Sequence, residues 1–340
     1  MGITIKDIAK ESGYSVGTVS RVLNSHPDVS AAARAKIMQV VEKYNFELNS
    51  NAKHLRQQVQ NGIAIIVKGS QNMLFAPIVE QMQGMLAKKG FACLIYYISE
   101  MDNEVVRAVS VCRERRPLGI MFLGCNLNYF RERFADIKVP CILVTNSAQS
   151  LGFDNLSSVS IDDTAAAMAA VEHIINAGHS KIGILGGYAD CSKVATARLA
   201  GCVQAFEKHR LPYDATRQYS AAMFRISEGY TAMQRLLEKM PDVTAVFAMA
   251  DVMAIGAIKA IHDAGLKVPQ DISVVGFDGI ELGEYCSPRL TTVKQNGQTI
   301  GRRSVEILLA AIEKNTPAVH ETVPFEIIEG ESIKQLSQED

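Results

Sequence analysis

From residue 61 to about residue 330, short apolar runs alternate with stretches of helical spacing, and the rhythm runs through twice. The first pass reads Ile63 to Val67, a helix near Phe75 to Lys88, Ala92 to Ile98, a helix near Asn103 to Arg115, Gly119 to Leu123 and Cys141 to Val144. The second reads Val159 to Ile161, a helix from Asp163 to Ala177, Ile182 to Leu185, and helices over Lys193 to His209 and Ser227 to Lys239. It closes with Ala245 to Ala248, a helix from Asp251 to Ala264, and Ile272 to Val275. Strands that are apolar along their whole length bury both faces, so each pass predicts a parallel sheet covered by helices on both sides. Two such halves predict a cleft at the carboxyl ends of the strands, where open α/β sheets take ligands. At 340 residues and 48% hydrophobic, the chain can bury cores of this size in two or three domains.

The first 46 residues follow another pattern. Ser15-Val16-Gly17-Thr18-Val19-Ser20-Arg21-Val22-Leu23-Asn24 predicts a short helix that Ser15 can cap and that Ser25-His26-Pro27 ends. Val19, Val22 and Leu23 form its apolar side, whereas Thr18 and Arg21 face outward, with Val16 and Gly17 at the leading end. Before it, Thr4 can cap a helix in which Ile5, Ile8 and Ala9 repeat at helical spacing, and Gly13-Tyr14 supplies a tight turn. Two short helices with a small residue at the crossing and a glycine in the turn predict a helix-turn-helix. A third helix from Ser30 to about Tyr44 offers Ala33, Ile37, Val40, Val41 and Tyr44 to close a miniature core.

Charge divides along the same line. Residues 1–60 carry 8 Lys and Arg against 5 Asp and Glu, a balance of +3 that leaves −4 for the remainder, as a phosphate-binding end requires. Seven cysteines, at 93, 112, 125, 141, 191, 202 and 286, form no CxxC pair and are read as reduced packing residues, which implies a cytosolic protein. No apolar run reaches membrane-spanning length, and no basic-then-apolar leader opens the chain. Between the two regions, Asn49 to Gln58 is polar except for Ala52 and Leu55, which are three apart and share a face of any short helix. Such a helix has no core of its own and would order only when something packs on Leu55. A minor-groove wedge and a plain linker both fit that pattern.

Catalytic and cofactor motifs are missing. Ile184-Leu185-Gly186-Gly187 ends a strand but completes neither a dinucleotide fingerprint nor a phosphate loop. Gly178-His179-Ser180-Lys181-Ile182-Gly183 departs from a nucleophile elbow because Ser180 precedes its strand. His173 and His179 are six apart and share no helical face, so no metal pair is expected there. Neither a cofactor nor a catalytic residue is expected.

This order of parts resembles the LacI/GalR family of bacterial transcription regulators over essentially the whole chain. The marks are Ile5 to Ala9 with Gly13, Val19-Ser20-Arg21-Val22-Leu23-Asn24, Ala52 with Leu55, Ala177-Gly178-His179, and Arg198-Leu199-Ala200-Gly201. Asp271-Ile272-Ser273-Val274-Val275-Gly276-Phe277-Asp278 and Leu290-Thr291-Thr292-Val293-Lys294-Gln295 complete them. The resemblance implies an α/β protein with an all-α helix-turn-helix domain (1–46), a hinge and linker (47–60) and a two-lobed, periplasmic-binding-protein-like effector domain (61–335). It implies one lobe of about 61–159 and 291–318, another of about 160–290 and 319–335, and chain crossings near 160, 290 and 318. It further implies a homodimer on a double-stranded DNA operator, controlled by a small-molecule effector, a sugar or a derivative. No leucine heptad follows Gly330, so a dimer rather than a tetramer is expected.

Carried onto this sequence, the resemblance makes Arg21 the main base reader, with Val16 and Gly17 setting target choice. Thr18, Ser20, Asn24 and Ser30 fall to phosphate oxygens, Leu55 becomes the minor-groove wedge beside Ala52, and Thr4, Ser15, Asn49 and Arg56 complete the DNA-facing set. For the effector it implies Arg198 and Asp278 as anchors, Phe224 as an aromatic wall, and Thr145, Asp251 and Gln295 as further contacts. Two departures stand out: Ala250 where sugar-binding members often carry Asn, and Leu123 where a polar residue is frequent. Losing two hydrogen-bond partners points to an effector less polar than a bare monosaccharide, or to a modified sugar. Two alternatives accompany this reading. One is control by a protein corepressor. The other is a carbohydrate-processing enzyme with an appended DNA-binding domain, which Asp278, lacking an acidic partner in the sequence, argues against.

Overall fold

The computed structural model describes residues 3–23, 26, 28–44, 46, 62–69, 72–188 and 193–336. The chain forms two compact units, Met1–Gln58 and Val59–Asp340.

The first unit contains α1 (Ile5–Ser12), α2 (Val16–Leu23) and α3 (Ala31–Lys43). The Asp7 carboxylate accepts from both the amide and the hydroxyl of Thr4, at 2.8 and 2.6 Å, which anchors the start of α1. Gly13 stops α1 at φ 77°, a conformation that a side chain would strain. Ile8, Ala9, Val19, Val22, Ile37 and Val41 seal the core, with Leu23 and Val40 half-buried against it. Tyr44, expected in that core, is instead exposed and lies against Lys43, whose ammonium is 5.0 Å from the ring centroid. The cause is local. Helix α3 ends at Lys43, and Lys43 reaches Glu11 at 2.6 Å, which leaves the next side chain outside.

The second unit holds two six-stranded sheets. The first runs β11-β5-β4-β3-β1-β2, from β1 (Gly62–Lys68), β2 (Ala92–Ile98), β3 (Gly119–Leu123), β4 (Cys141–Val144), β5 (Leu156–Ser160) and β11 (His320–Thr322). The second runs β12-β10-β9-β8-β6-β7, from β6 (Ile182–Gly186), β7 (Tyr219–Ala221), β8 (Ala245–Ala248), β9 (Ser273–Asp278), β10 (Thr291–Gln295) and β12 (Phe325–Ile328). Every pairing is parallel except β10 with β12. The equal strand orders make the lobes alike except at one edge, where β11 joins β5 parallel and β12 joins β10 antiparallel.

Sheet membership moves two expected lobe boundaries. Strand β10 belongs to the second lobe although 291 was expected to open the first-lobe return, and β11 belongs to the first lobe although the return was expected to end at 318. The crossings therefore lie after β5, after β10 and between β11 and β12. The helix Gly297–Lys314, which the sequence pattern did not announce, follows the second crossing and buries Ile300, Val305, Ile307, Leu308 and Leu309.

Glycines set how closely the helices approach. A Cβ at Gly256 would lie 2.1 Å from the Ile226 carbonyl oxygen, and one at Gly229 would lie 2.4 Å from that of Met253. The helices Ile226–Lys239 and Asp251–Asp263 thus meet backbone to backbone at both places. Gly201 does the same on the other face, where a Cβ would lie 2.1 Å from the Thr164 oxygen.

Candidate functional site

Two sites are built by these elements, one on each unit. On the first, the packing of Val19 and Val22 turns the opposite side of α2 outward, so Ser15, Val16, Gly17 and Arg21 are exposed, and Thr18 and Ser20 are half-buried. Ser15 Oγ accepts from the Thr18 amide at 3.1 Å and lies 2.9 Å from the Thr18 hydroxyl, which fixes the leading turn. Ser30 Oγ accepts from the Ala33 amide at 3.3 Å at the start of α3. Thr4 and Ser30 are also exposed. A Cβ at Gly17 would meet only Ser15 Oγ, at 3.7 Å, so the missing side chain there leaves open space rather than serving packing. Asn24, Asn49, Ala52, Leu55 and Arg56 lie outside the described residues.

On the second unit, strand ends and helix starts gather a polar cluster in the second lobe. Arg198, on the helix Lys193–Lys208, donates from Nε to Asp163 Oδ1 at 2.8 Å and from Nη1 to the Met249 carbonyl. Its Nη1 lies 3.8 Å from Asp278 Oδ1, and its guanidinium lies 3.7 Å from the Phe277 ring centroid. Gln295 donates to the same Asp278 oxygen at 2.8 Å from the end of β10. Burial pushes the Asp278 carboxyl up to about 6, although Arg198 and Gln295 pull the other way. Burial likewise raises the Asp163 carboxyl, opposed by Arg198.

Asp278, read from the sequence as lacking an acidic partner, thus has Asp163 and Asp251 as acidic neighbours. Neither forms an acid–base pair with it that faces the cleft. Asp163 is tied to Arg198. Asp251 has no exposed surface, accepting from the Thr292 hydroxyl at 2.5 Å and the Ile280 amide at 2.8 Å, and burial followed by the charge of Asp278 pushes it up to about 8. Asp251 therefore moves from the ligand-facing set to the support beneath Asp278. It also explains Gly276, where a Cβ would lie 2.2 Å from Asp251 Oδ1.

Thr145 lies in the first lobe, just past β4, at φ 73°, and Asp278 ends β9 at φ 116°. Strands β4 and β9 hold equal places in the two sheet orders, so both lobes carry a strained non-glycine residue at the same carboxyl edge. Strain of this kind collects where function requires a fixed geometry. Thr145 stands in the lobe opposite the Arg198 cluster, and Phe224 packs over Gly187, about 3.0 Å from where a Cβ would stand. Leu123 and Ala250 are buried, at 1% and 2% exposure.

Sequence reasoning missed two charged pairs. Lys68, ending the apolar run of β1, meets Glu104 at 2.8 Å with side chains 8% and 2% exposed, and its ammonium lies 4.8 Å from the Tyr129 ring centroid. Lys68 at the end of five apolar residues was the available signal. Arg225 of the second lobe meets Glu100 of the first at 3.1 Å, a pairing across 125 residues that no local pattern announces. Beside Arg225 a groove of about 560 Å³ is lined by Met73, Ile226, Tyr230, Val252 and Lys259. That groove shares no residue with the Arg198 cluster, and the cluster, with its buried charges, is the better ligand site. Among the described residues no group of side chains could hold a metal ion, and no helix is long and apolar enough to cross a membrane.

Comparison with known proteins finds matches in both units. The model of bacterial regulatory proteins of the lacI family matches residues 4–49, and that of the periplasmic binding protein-like domain matches residues 171–333. The HTH-type transcriptional regulator MalR of Clostridium butyricum is 34% identical over 333 residues, 97% of this chain and 99% of that protein. The solved structure of the transcriptional regulator CelR in complex with cellobiose superposes with a TM-score of 0.70 at 26% identity, over 97% of this chain and 99% of that one. The lac repressor dimer bound to operator and the anti-inducer ONPF shares the fold, with a TM-score of 0.74 at 24% identity over 98% and 100%. The chain belongs to the LacI family of bacterial regulatory proteins and is a DNA-binding transcriptional regulator, not an enzyme.

Proposed function

We propose that this regulator is a repressor that binds a palindromic operator as a homodimer and leaves it when a neutral sugar or sugar derivative enters the cleft. The observation that carries this reading is the exposed edge of α2, with Ser15, Val16, Gly17 and Arg21 outward on a sealed core. Arg21 can donate two hydrogen bonds to guanine in the major groove, and Val16 can touch a thymine methyl. Gly17 contributes backbone alone, so specificity at its base is loose. Thr4, Ser15, Thr18, Ser20 and Ser30 offer hydroxyls to phosphates, which set register without reading sequence. Asn24, Asn49 and Arg56 join them by resemblance, and the Leu55 pair, with Ala52 beside it, wedges the minor groove at the dyad.

Charge supports a neutral effector. Asp163 and Asp278 share a single guanidinium, which leaves no spare positive charge to hold an anion and disfavours phosphorylated or carboxylated sugars. Hydroxyls suit Arg198, Asp278 and Gln295, and the ligand named in the CelR complex is cellobiose. A homodimer is supported by the lac repressor, whose structure bound to operator is a dimer with the same fold. Effector occupancy would shift the lobe equilibrium and with it the spacing of the two hinges.

The test is selection of bound DNA from a random pool by purified protein at fixed salt, repeated with neutral and phosphorylated sugars. A palindrome with a central pyrimidine–purine step, released by a neutral sugar, is expected. Arg21→Ala should erase the consensus and leave weak, salt-sensitive binding. The same consensus from that variant would sink the assignment of α2, and release by a phosphosugar alone would sink the charge argument.

A further inference from the structure

The first lobe has a polar edge of its own, in the lobe opposite Arg198. Strands β1, β3 and β4 are neighbours in the first sheet, and at or just past their carboxyl ends stand Lys68, Cys125-Asn126 and Thr145-Asn146. One dipeptide ties the set together. The Cys125 amide donates to Asn146 Oδ1 at 3.3 Å, and the Asn126 amide donates to Glu104 Oε1 at 2.5 Å. Glu104 Oε2 in turn accepts from Lys68 at 2.8 Å. The acceptors of this network are thus satisfied from within the lobe.

Its donors are not. Asn146 is only 5% exposed, yet its Nδ2 has no hydrogen-bond partner among the described residues, and neither has the Thr145 hydroxyl. The Asn146 nitrogen is not sealed off, unlike the unpartnered Ser220 and Ser304 hydroxyls, so a ligand can reach it. Lys68 gives one of its three N–H groups to Glu104 and lies against the Tyr129 ring, which leaves at least one uncommitted. Between them β3 ends in Leu123 and offers no side-chain donor. Stability does not explain the arrangement. A buried ion pair gains little over apolar side chains of the same volume, and a buried amide without a partner costs free energy. Ligand oxygens would complete both groups.

We propose that Asn146 and Lys68 set effector specificity from the first lobe, donating to oxygens of an uncharged, oxygen-rich ligand that Arg198 and Asp278 hold from the second. This rests on the neutral-sugar reading and adds two residues to it. Charge favours the same class at both edges. Glu104 balances Lys68 as Asp163 and Asp278 balance Arg198, so neither edge has a spare cation for an anionic group. The edges also divide the work. Asp278 accepts from ligand hydroxyls, whereas the Asn146 amide and the Lys68 ammonium only donate, so the effector turns hydrogen-bond acceptors toward the first lobe.

The experiment titrates the full-length protein with neutral mono- and disaccharides, cellobiose among them, by calorimetry, and takes the tightest binder through its series of monodeoxy analogues. In wild type, deleting an oxygen that Asn146 holds should weaken binding about tenfold. Asn146→Ala should weaken the parent sugar by a similar factor and abolish that one penalty, leaving those at other positions. Lys68→Met with Glu104→Gln, which removes the ion pair without stranding a buried charge, should abolish a different penalty; if it does not, Lys68 leaves the site. Unchanged affinity for Asn146→Ala, or a uniform loss with every penalty intact, would overturn the proposal, because a purely structural role affects all positions alike. Should Asn146→Ala fail to fold, Asn146→Asp keeps the acceptor for the Cys125 amide, lacks the donors, and should lose the same penalty. Arg198→Gln separates the two readings. Binding that needs Arg198 but not Asn146 defeats this proposal alone, whereas no binding of any neutral sugar, or binding indifferent to Arg198, defeats the neutral-sugar reading beneath it.

Discussion

At the residue scale, Asp251 is a fully buried carboxyl of the second lobe. Its carboxyl is sealed, meets the Thr292 hydroxyl and the Ile280 amide, and is pushed up to about 8 by burial and by Asp278. A carboxyl that holds its proton more tightly folded than unfolded stabilises the fold at low pH and loses that contribution as pH rises toward its folded value. The fold should therefore weaken between about pH 4 and pH 8 on account of this group. Asn can accept from the Ile280 amide and donate to the Thr292 oxygen without ionising. Asp251→Asn is expected to flatten the decline by more than about 1 kcal/mol, since one pKa unit is worth about 1.4 kcal/mol. Thermal unfolding of both proteins across that range checks it, and parallel curves would mean that Asp251 is not the titrating group. Neither its burial nor the φ of 116° at Asp278 could be read locally, because both arise where β9, β10 and a helix start converge.

At the scale of elements, glycines decide spacing. Gly229 and Gly256 bring two helices together at the backbone, and Gly256→Ala would drive a methyl into the Ile226 carbonyl oxygen at 2.1 Å. The helices must part, at a cost of about 1–3 kcal/mol, seen as a lower unfolding midpoint with the DNA consensus unchanged. A fall of less than about 0.5 kcal/mol would show that the pair can slide apart freely. The long apolar strands and amphipathic helices were legible because burial on one or both faces leaves a period in the sequence. Strand β10 was not legible as a strand: Thr291, Thr292, Lys294 and Gln295 give it no apolar run, and its hydroxyls and amide find partners only once β9, the start of the helix Asp251–Asp263 and the segment at Gly330 are in place.

At the scale of the molecule, two lobes of equal strand order are bridged by Arg225 and Glu100. The pair is partly solvated, with side chains 44% and 19% exposed, so its worth is about 0–1 kcal/mol. An effector held between the lobes gains from anything that favours closure. Arg225→Gln is therefore expected to weaken effector binding by up to about fivefold, measured by calorimetry, without altering the operator consensus. Unchanged affinity would show that the pair does not contribute to closure.

What this chain determines by itself is periodic or local: the reading helix with its cap and glycine turn, the two passes of strand and helix, and the absence of catalytic motifs. Val19, Val22 and Ile37 were recognisable as core because an amphipathic helix must repeat its apolar residues every three or four positions. The tertiary structure alone decided which lobe β10 and β11 join, that Asp251 lies beneath Asp278 rather than facing a ligand, and that Arg225 meets Glu100. Each of these depends on residues far apart in sequence meeting in space, and charge, strain and desolvation there are set by neighbours that no spacing rule encodes.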